Sequence, residues 1–556
     1  MRRIWALVTK KQMTVGSAAM VLALMVLLSR VLGLVRDRLL ATFFAPDALG
    51  VYFAAFRIPN FIFELLVMGA LTSAFIPVYS KYLAQDDEHE AARVASGLIN
   101  LSLIFFTVLA VPLFVLAPWI SRLIAPGFTQ AQQAQMTSFT RFMLFFQVVP
   151  LLVGNVFTGI LQSHNLFLIP ALAPVLYNVG IIIGVIAFAG TFGLWAPVYG
   201  VGIGAFLFVL IQIPALFHVG YRHTAEINPK RPGIREVGRL MGPRTFGLAV
   251  TQIDTTVDLI LASLLGARMV TIFNFAQQLQ QLPIGLFGQT IAQAALPSLS
   301  QLSAKEEQDA FIKTVRSAMH QIMFLVLPAS MLFMVLRIPV VRLIYGAARF
   351  DWAATVATGM TLSAFSISLF AQAIVQVLAR GFYALLDSKT PVLVGVASVL
   401  LNSVLSIVFI RFLHLPIWAL GLSTSVASIL NACLLLYLLD RKTPGLLGGA
   451  LLYPVLKMGI ATVVTGAALY APLKLFDQLV FDTTHTFGLL LLTGVSGTIG
   501  LVTYFFLSWV FNVDQVHDVM RLMKRLQKIH GFSLEPAQEV VVRSGRADIG
   551  GEASQQ

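Results

Sequence analysis

One cysteine, Cys433, stands in the 556-residue sequence. That excludes an internal disulfide framework and any metal site built on several thiolates. Charge is also scarce: Asp, Glu, Lys and Arg make up 11% of the residues, against about 25% in soluble domains. The nine histidines are scattered. No G-x-x-x-x-G-K-[ST] loop is present, so ATP does not drive this chain directly. Neither H-E-x-x-H nor G-x-S-x-G occurs. A soluble globular enzyme, a disordered chain and a nucleic-acid-binding domain are all excluded by so little charge among so much apolar surface. No cofactor and no metal site is expected.

What is abundant is hydrophobicity, at 58% of residues. A bilayer-spanning helix needs about 20 apolar residues. Fourteen stretches meet or approach that length, with cores at 14–35, 49–76, 94–117, 139–162, 167–190, 197–219, 244–265, 270–298, 316–336, 353–378, 391–412, 417–439, 452–473 and 486–511. Strands are not supported, because a barrel shows short alternating segments instead. The start, Met1-Arg2-Arg3 followed by Lys10-Lys11, has no clear cleavage site and reads as a retained first span.

The net charge of +13 would suit a nucleic-acid partner in a soluble protein. Here it follows topology. With the amino terminus inside, segments such as Arg222 to Arg244, Lys305 to Arg316 and Arg441-Lys442 fall inside with most of the basic residues. Arg122, Arg268, Arg337, Arg342, Arg349, Arg411 and Lys474 fall outside. This bias puts both termini in the cytoplasm. Beyond the last span, Val516, Val519, Met520, Met523 and Leu526 share a helical face among Arg521, Lys524, Arg525 and Lys528. That pattern fits either an interfacial amphipathic helix or an ordinary solvated one. A polar tail follows from about Ser533.

The two halves resemble each other. Ala74-Phe75-Ile76-Pro77 matches Ala294-Ala295-Leu296-Pro297 at an offset of 220, Leu39-Leu40-Ala41-Thr42 matches Ile260-Leu261-Ala262-Ser263, and Gly159 to Asn178 resembles Gly381 to Asn402. A parallel repeat follows. The expected architecture is an all-α polytopic membrane protein of about fourteen helices, in two six-helix lobes plus two C-terminal helices. The lobes are 1–219 and 244–439, with a basic linker at 220–243. The added helices lie at 440–511, and the amphipathic helix and tail at 512–556. Two-lobed transporters place their substrate between lobes and work by alternating access.

Ionisable residues inside spans are costly and point to function by default. The first span carries Arg30, Arg36, Asp37 and Arg38, and the second carries Arg57 and Glu64. Guanidinium groups in a half-wet cavity suit a phosphate, which they bind bidentately while staying protonated. The alternative is that they snorkel, or pair with Asp37 and Glu64 as internal glue. In the seventh span Asp254 and Asp258, four apart, share a face. With Asn402 of the eleventh they suit a coupling monovalent cation, the neutralisation of first-lobe arginines, or plain interhelical hydrogen bonding. The eighth span carries Asn274, Gln277, Gln278, Gln280, Gln281, Gln289 and Gln293, a set that suits a wet cavity. The acidic run Asp86-Asp87-Glu88-His89-Glu90 is unrepeated and reads as a solvated loop rather than the metal–diphosphate site of a membrane transferase.

Ser29 to Arg38, then Ala55-Phe56-Arg57-Ile58-Pro59-Asn60, Gly69-Ala70 and Ala74-Phe75-Ile76-Pro77, resemble the opening signature of the MurJ (MviN) lipid II flippase family. Leu279-Gln280-Gln281-Leu282-Pro283-Ile284-Gly285-Leu286-Phe287-Gly288 and Ala379-Arg380-Gly381 to Pro391 resemble later motifs of the same family. The resemblance spans roughly residues 14–511. It implies the multidrug/oligosaccharidyl-lipid/polysaccharide exporter fold. It also implies transport, without a chemical step, of the undecaprenyl-diphosphate-linked peptidoglycan precursor across the bacterial cytoplasmic membrane. Arg30 and Arg36 match family arginines held to bind the diphosphate. Arg57 and Asn60 would assist, Asp37 would orient the arginines, and Gln278 and Gln281 would meet sugar or peptide. Membrane lipids and cell-wall synthesis proteins are the implied partners. The chain departs from the family where Phe63-Glu64 and Met68 replace an Arg pair and an acidic residue, and where Gln278 replaces an Arg. The alternatives are a flippase for another lipid-linked oligosaccharide and a cation-coupled drug exporter.

Overall fold

The structure, a computed structural model, describes residues 15–65, 74–479, 486–517 and 521. The expected amphipathic helix beyond residue 517 and the Gly69-Ala70 motif lie outside the described residues.

The first half runs through α1 (Val15–Phe43), α2 (Pro46–Ala55), α3 (Arg57–Phe63), α4 (Ile76–Ala84), α5 (Glu88–Ile124), α6 (Gln130–Phe146), α7 (Val148–Ser163), α8 (Leu168–Phe192), α9 (Trp195–Leu210) and α10 (Ile213–His218). The second half continues with α11 (Pro232–Leu264), α12 (Ala267–Pro283), a π-helical segment Ile284–Gln289, α13 (Thr290–Ala304), α14 (Gln308–Val335), α15 (Arg337–Tyr345), α16 (Trp352–Ser366), α17 (Leu369–Ala384), α18 (Lys389–Ile407) and α19 (Trp418–Lys442). Two further helices, α20 (Gly449–Leu479) and α21 (Thr486–Val510), pack on each other and on α14.

Local chemistry explains where these helices start. The Asp87 carboxylate accepts from the Glu90 amide at 2.9 Å. Thr129 and Gln132 close a capping box over α6, and Asp351 accepts from the Ala354 amide at 2.8 Å. Each satisfies a helix-terminal N–H that would otherwise lack a partner. Small residues let α8 and α9 meet backbone to backbone. A Cβ on Gly180 would lie 2.2 Å from the Gly204 Cα, and one on Gly184 2.3 Å from the Gly200 Cα, the close approach expected of membrane helices.

The backbone repeats with the sequence. Left-handed φ values recur in register: Asp86 with Glu306, 220 residues apart; Asn165 with Leu386 and Gly193 with His414, each 221 apart; and Gly220 with Gly445, 225 apart. A left-handed residue is a turn decision that costs energy for anything but glycine. Four such decisions in the same order mark one architecture used twice. The helix breaks repeat too: Gln147 separates α6 from α7, and Ile367-Ser368 separates α16 from α17 with a 44° bend.

Among the described residues, nine helices are long and apolar enough to cross a membrane, or ten with the bent α16–α17 pair counted as one span. Ten of the fourteen expected spans thus stand on length and composition. The other four fall at 14–35, 49–76, 244–265 and 270–298; residues 14 and 66–73 lie outside the described residues, and the π-helical segment Ile284–Gln289 breaks the last of the four. The basic segment 220–243 is also not a single loop. Pro232 at the first turn starts α11 early, and Gly233 lets this extension lie on Val94 and Tyr82 of the first half.

Candidate functional site

Helices from these four stretches wall a cavity of about 380 Å³ between the two halves. α1 supplies Arg36, α2 and α3 supply Tyr52, Arg57 and Asn60, α11 supplies Thr255, and α12 supplies Asn274, Gln277 and Gln278, with Gln147 and Tyr177 closing one side. Two arginines reach the lining and no carboxylate does.

Arg36 is held firmly. Its Nε donates to Asp37 Oδ1 at 2.9 Å, and its Nη1 donates to Asn178 Oδ1 at 2.9 Å. Asn178 in turn donates to the hydroxyl and carbonyl oxygens of Ser29, each at 3.2 Å. The Asp37 side chain is 1% exposed, against 22% for Arg36. The acid is therefore buried behind the base, and the guanidinium keeps one edge toward the cavity. A buried pair of this kind owes little stability to its charges, but removing one partner strands the other.

Arg57 crosses from one half to the other. Its Nε donates to Thr256 Oγ1 at 2.7 Å, and its Nη2 donates to Gln252 Oε1 at 2.6 Å and to the Gln252 carbonyl oxygen. Gln252 donates onward to the Glu64 carboxylate. The family-divergent Glu64 is thus engaged with α11 rather than lining the cavity. Asn60 accepts from Gln147 Nε2 at 3.0 Å, and Gln278 donates to Asn274 Oδ1 at 2.7 Å.

Arg30 and Gln281 fall outside the lining. Arg30 packs on the backbone of the π-helical segment: a Cβ on Gly285 would sit 2.3 Å from its Nη2. Among the described residues it forms no ion pair with Asp37, although the two share a helical face. Gln281 is exposed, because α12 turns only one of its amide-bearing faces toward the cavity.

The remaining candidates form a second polar cluster in the second half. Asn402 Nδ2 donates to Asp254 Oδ1 at 2.9 Å, and Asp258 lies beside the same amide and within electrostatic reach of Arg57. Asp258 Oδ1 and Asn402 Oδ1 are buried without hydrogen-bond partners. Sequence reasoning did not find Asn178, Gln147, Tyr52 or Tyr177 as site residues. The signal available for Asn178 was its repeat mate: both asparagines sit on the equivalent helix and tie it to the first helix of their own half.

One end of the cavity is sealed by direct contact between the halves. Thr271 Oγ1 donates to the Pro46 carbonyl at 2.6 Å. A Cβ on Gly50 would lie 1.8 Å from the Ala267 carbonyl oxygen, and one on Gly127 1.9 Å from that of Ser263. Arg268 stands between Asp47 at 3.9 Å and Asp351. Its hydrogen bond, with that of the Ala354 amide, holds the Asp351 carboxyl below its usual range.

The sequence matches the family described as "Lipid II flippase MurJ" over residues 13–491. It is 29% identical to a probable lipid II flippase MurJ of Bdellovibrio bacteriovorus, over 91% of this chain and 96% of that protein. The fold is similar to a solved structure titled "Lipid II flippase MurJ, inward closed conformation", with a TM-score of 0.74 and 24% identity over 89% of this chain and all of that one. An inward-facing multidrug resistance transporter of the MATE family is also similar, with a TM-score of 0.65 and 14% identity over 75% of this chain and 95% of the other.

Proposed function

The chain belongs to the MurJ lipid II flippase family, and we propose that it carries an undecaprenyl-diphosphate-linked peptidoglycan precursor from the inner to the outer leaflet of the bacterial cytoplasmic membrane. The observation that carries this reading is the cavity between the halves, lined by Arg36 and Arg57 and by no carboxylate. A diphosphate spreads its charge over several oxygens, and guanidinium groups meet these with directed, charge-assisted bonds. Arg36 and Arg57 bind the diphosphate, with Arg30 joining as the lobes move. Asp37 and Asn178 fix Arg36, Asn60 lies beside the site, and the amides of Asn274, Gln277 and Gln278 meet sugar or peptide.

At about 380 Å³, the cavity is near the lower limit for a drug-sized ligand. A saccharide-peptide head group requires the halves, lobes 1–219 and 244–439, to separate. The close backbone contacts at the sealed end and the polar contacts of Arg57 with α11 suit alternating access. The excess of basic residues in the segments assigned inside supports cytoplasmic termini. Asp254, Asp258 and Asn402 serve as the site of a coupling monovalent cation, alongside or in place of the membrane potential.

The replacement of a family arginine by Gln278, which lines the cavity, favours one second reading, a flippase for another lipid-linked oligosaccharide. A cation-coupled drug exporter needs acidic groups in the lining, and the lining has none. Complementation of a flippase-depleted strain tests the proposal. Growth is expected with this chain and loss of growth with Arg36→Ala. Rescue that depends on a different lipid-linked saccharide would select the second reading.

A further inference from the structure

A second cavity of about 540 Å³ lies where the end of α14 and the start of α15 meet α20 and α21. Its rim carries Arg337, Arg342 and Lys474, and its floor is made of Leu473, Leu489 and Leu492. None of the three cations makes an ion pair among the described residues. Among the described residues no carboxylate answers these three positive charges around one apolar hollow, although like charges repel.

Two further observations suit a position at the surface of a bilayer. Trp352 is 60% exposed and Tyr470 57% exposed, and both line the hollow. Exposed Trp and Tyr beside apolar helices mark the level of lipid head groups. The Arg342 guanidinium lies 5.9 Å from the centre of the Trp352 ring, which aims that cation along the rim. A neighbouring apolar cavity of about 490 Å³ shares Met334 and Arg337 with this one and continues past Met360, Ile367 and Leu422. The pair of hollows is thus charged at one mouth and apolar along its length.

We propose that this site binds an anionic phospholipid, its single phosphate among Arg337, Arg342 and Lys474 and its acyl chains along the two hollows. The geometry is separate from the cavity between the halves and shares no residue with it. The three cations were assigned above only to topology. A role in topology needs charge somewhere in the loop, not three charges converging on an apolar floor. Membrane-surface attraction contributes about 1 kcal/mol, or about fivefold, per basic residue. Three together give on the order of a hundredfold preference for an anionic over a zwitterionic head group.

The test is lipid retention by the full-length purified protein, read by native mass spectrometry after equilibration in mixed phosphatidylglycerol and phosphatidylcholine. Wild type is expected to keep phosphatidylglycerol with a preference of tens-fold to a hundredfold. The triple variant Arg337→Gln, Arg342→Gln, Lys474→Gln is expected to lose it, while the charge-preserving set Arg337→Lys, Arg342→Lys, Lys474→Arg keeps most of it. Circular dichroism confirms that both variants fold. Equal retention by wild type and the Gln variant overturns the proposal, as does equal loss by both variants. Competition by millimolar inorganic phosphate alone would also overturn it, by showing a soluble-anion site without a lipid.

Discussion

Asp37 and Asp258 hold equivalent places in the two repeats, 221 residues apart, and each is buried with one carboxylate oxygen unpartnered. Their neighbours differ. Asp37 faces Arg36 at 2.9 Å, whereas Asp258 faces Asp254 and Asn402. The same backbone position therefore serves a basic cluster in one half and an acidic cluster in the other.

Neutralising the two acids should have opposite consequences. Asp37→Asn leaves the Arg36 guanidinium without its counter-charge, and removing one partner of a buried pair costs about 3 kcal/mol or more. A lower melting temperature and weaker lipid transport are expected together. Asp258→Asn removes a charge that sits beside another acid, so the melting temperature should hold or rise. What Asp258→Asn should lose is the dependence of flipping on an ion gradient, measured in proteoliposomes with and without the gradient.

Arg57→Lys should not rescue Arg57→Ala. The side chain donates through Nε to Thr256 and through Nη2 to Gln252, a forked pattern that one ammonium cannot reproduce. Both variants are expected to lower transport by at least tenfold at normal membrane levels, read from the precursor accessible outside the cell.

Gly50→Ala should spread the sealed end. The added Cβ would lie 1.8 Å from the Ala267 carbonyl oxygen, a backbone atom that cannot rotate away. Spin labels at Gln130 and Arg349, in a Cys433→Ser background because the native thiol is exposed, should report a longer distance in the Gly50→Ala protein than without the substitution.

Asp387 sits in the turn before α18, where Lys442 at 2.5 Å and Thr390 hold its carboxyl well below the usual carboxylate range. A depressed folded-state pKa gives stability that is present above the unfolded value of about 3.9 and is lost as pH falls through the folded value. Asp387→Asn should therefore lower the melting temperature at pH 7, and the gap from wild type should narrow below about pH 4.

Much of this was legible in the sequence, and particular residues show where legibility ended. The repeat was visible because Pro77 and Pro297 punctuate equivalent helices, and the left-handed turns at Asp86 and Glu306 follow the same offset. Asp254 and Asp258 could be grouped with Asn402 because four-residue spacing defines a face and span order limits its neighbours. Arg57 and Gln252 could not be paired, since 195 residues separate them and a helical face does not reveal the helix opposite. The same limit hid the contact of Arg30 with Gly285. Helical spacing places Arg30 with Asp37, but the packing of α1 on the π-helical segment draws its guanidinium away. The cluster of Arg337, Arg342 and Lys474 stayed invisible because its members come from elements joined only by packing.

The most direct measurement is the amount of lipid-linked precursor exposed at the outer leaflet of cells whose own flippase has been depleted and which carry this chain as the only copy. The wild-type chain is expected to restore exposure, and Arg36→Ala, at the same membrane level, to leave it near the depleted background. Restoration by Arg36→Ala equal to wild type, or no restoration by wild type, would contradict the assignment of the cavity between the halves as the diphosphate site.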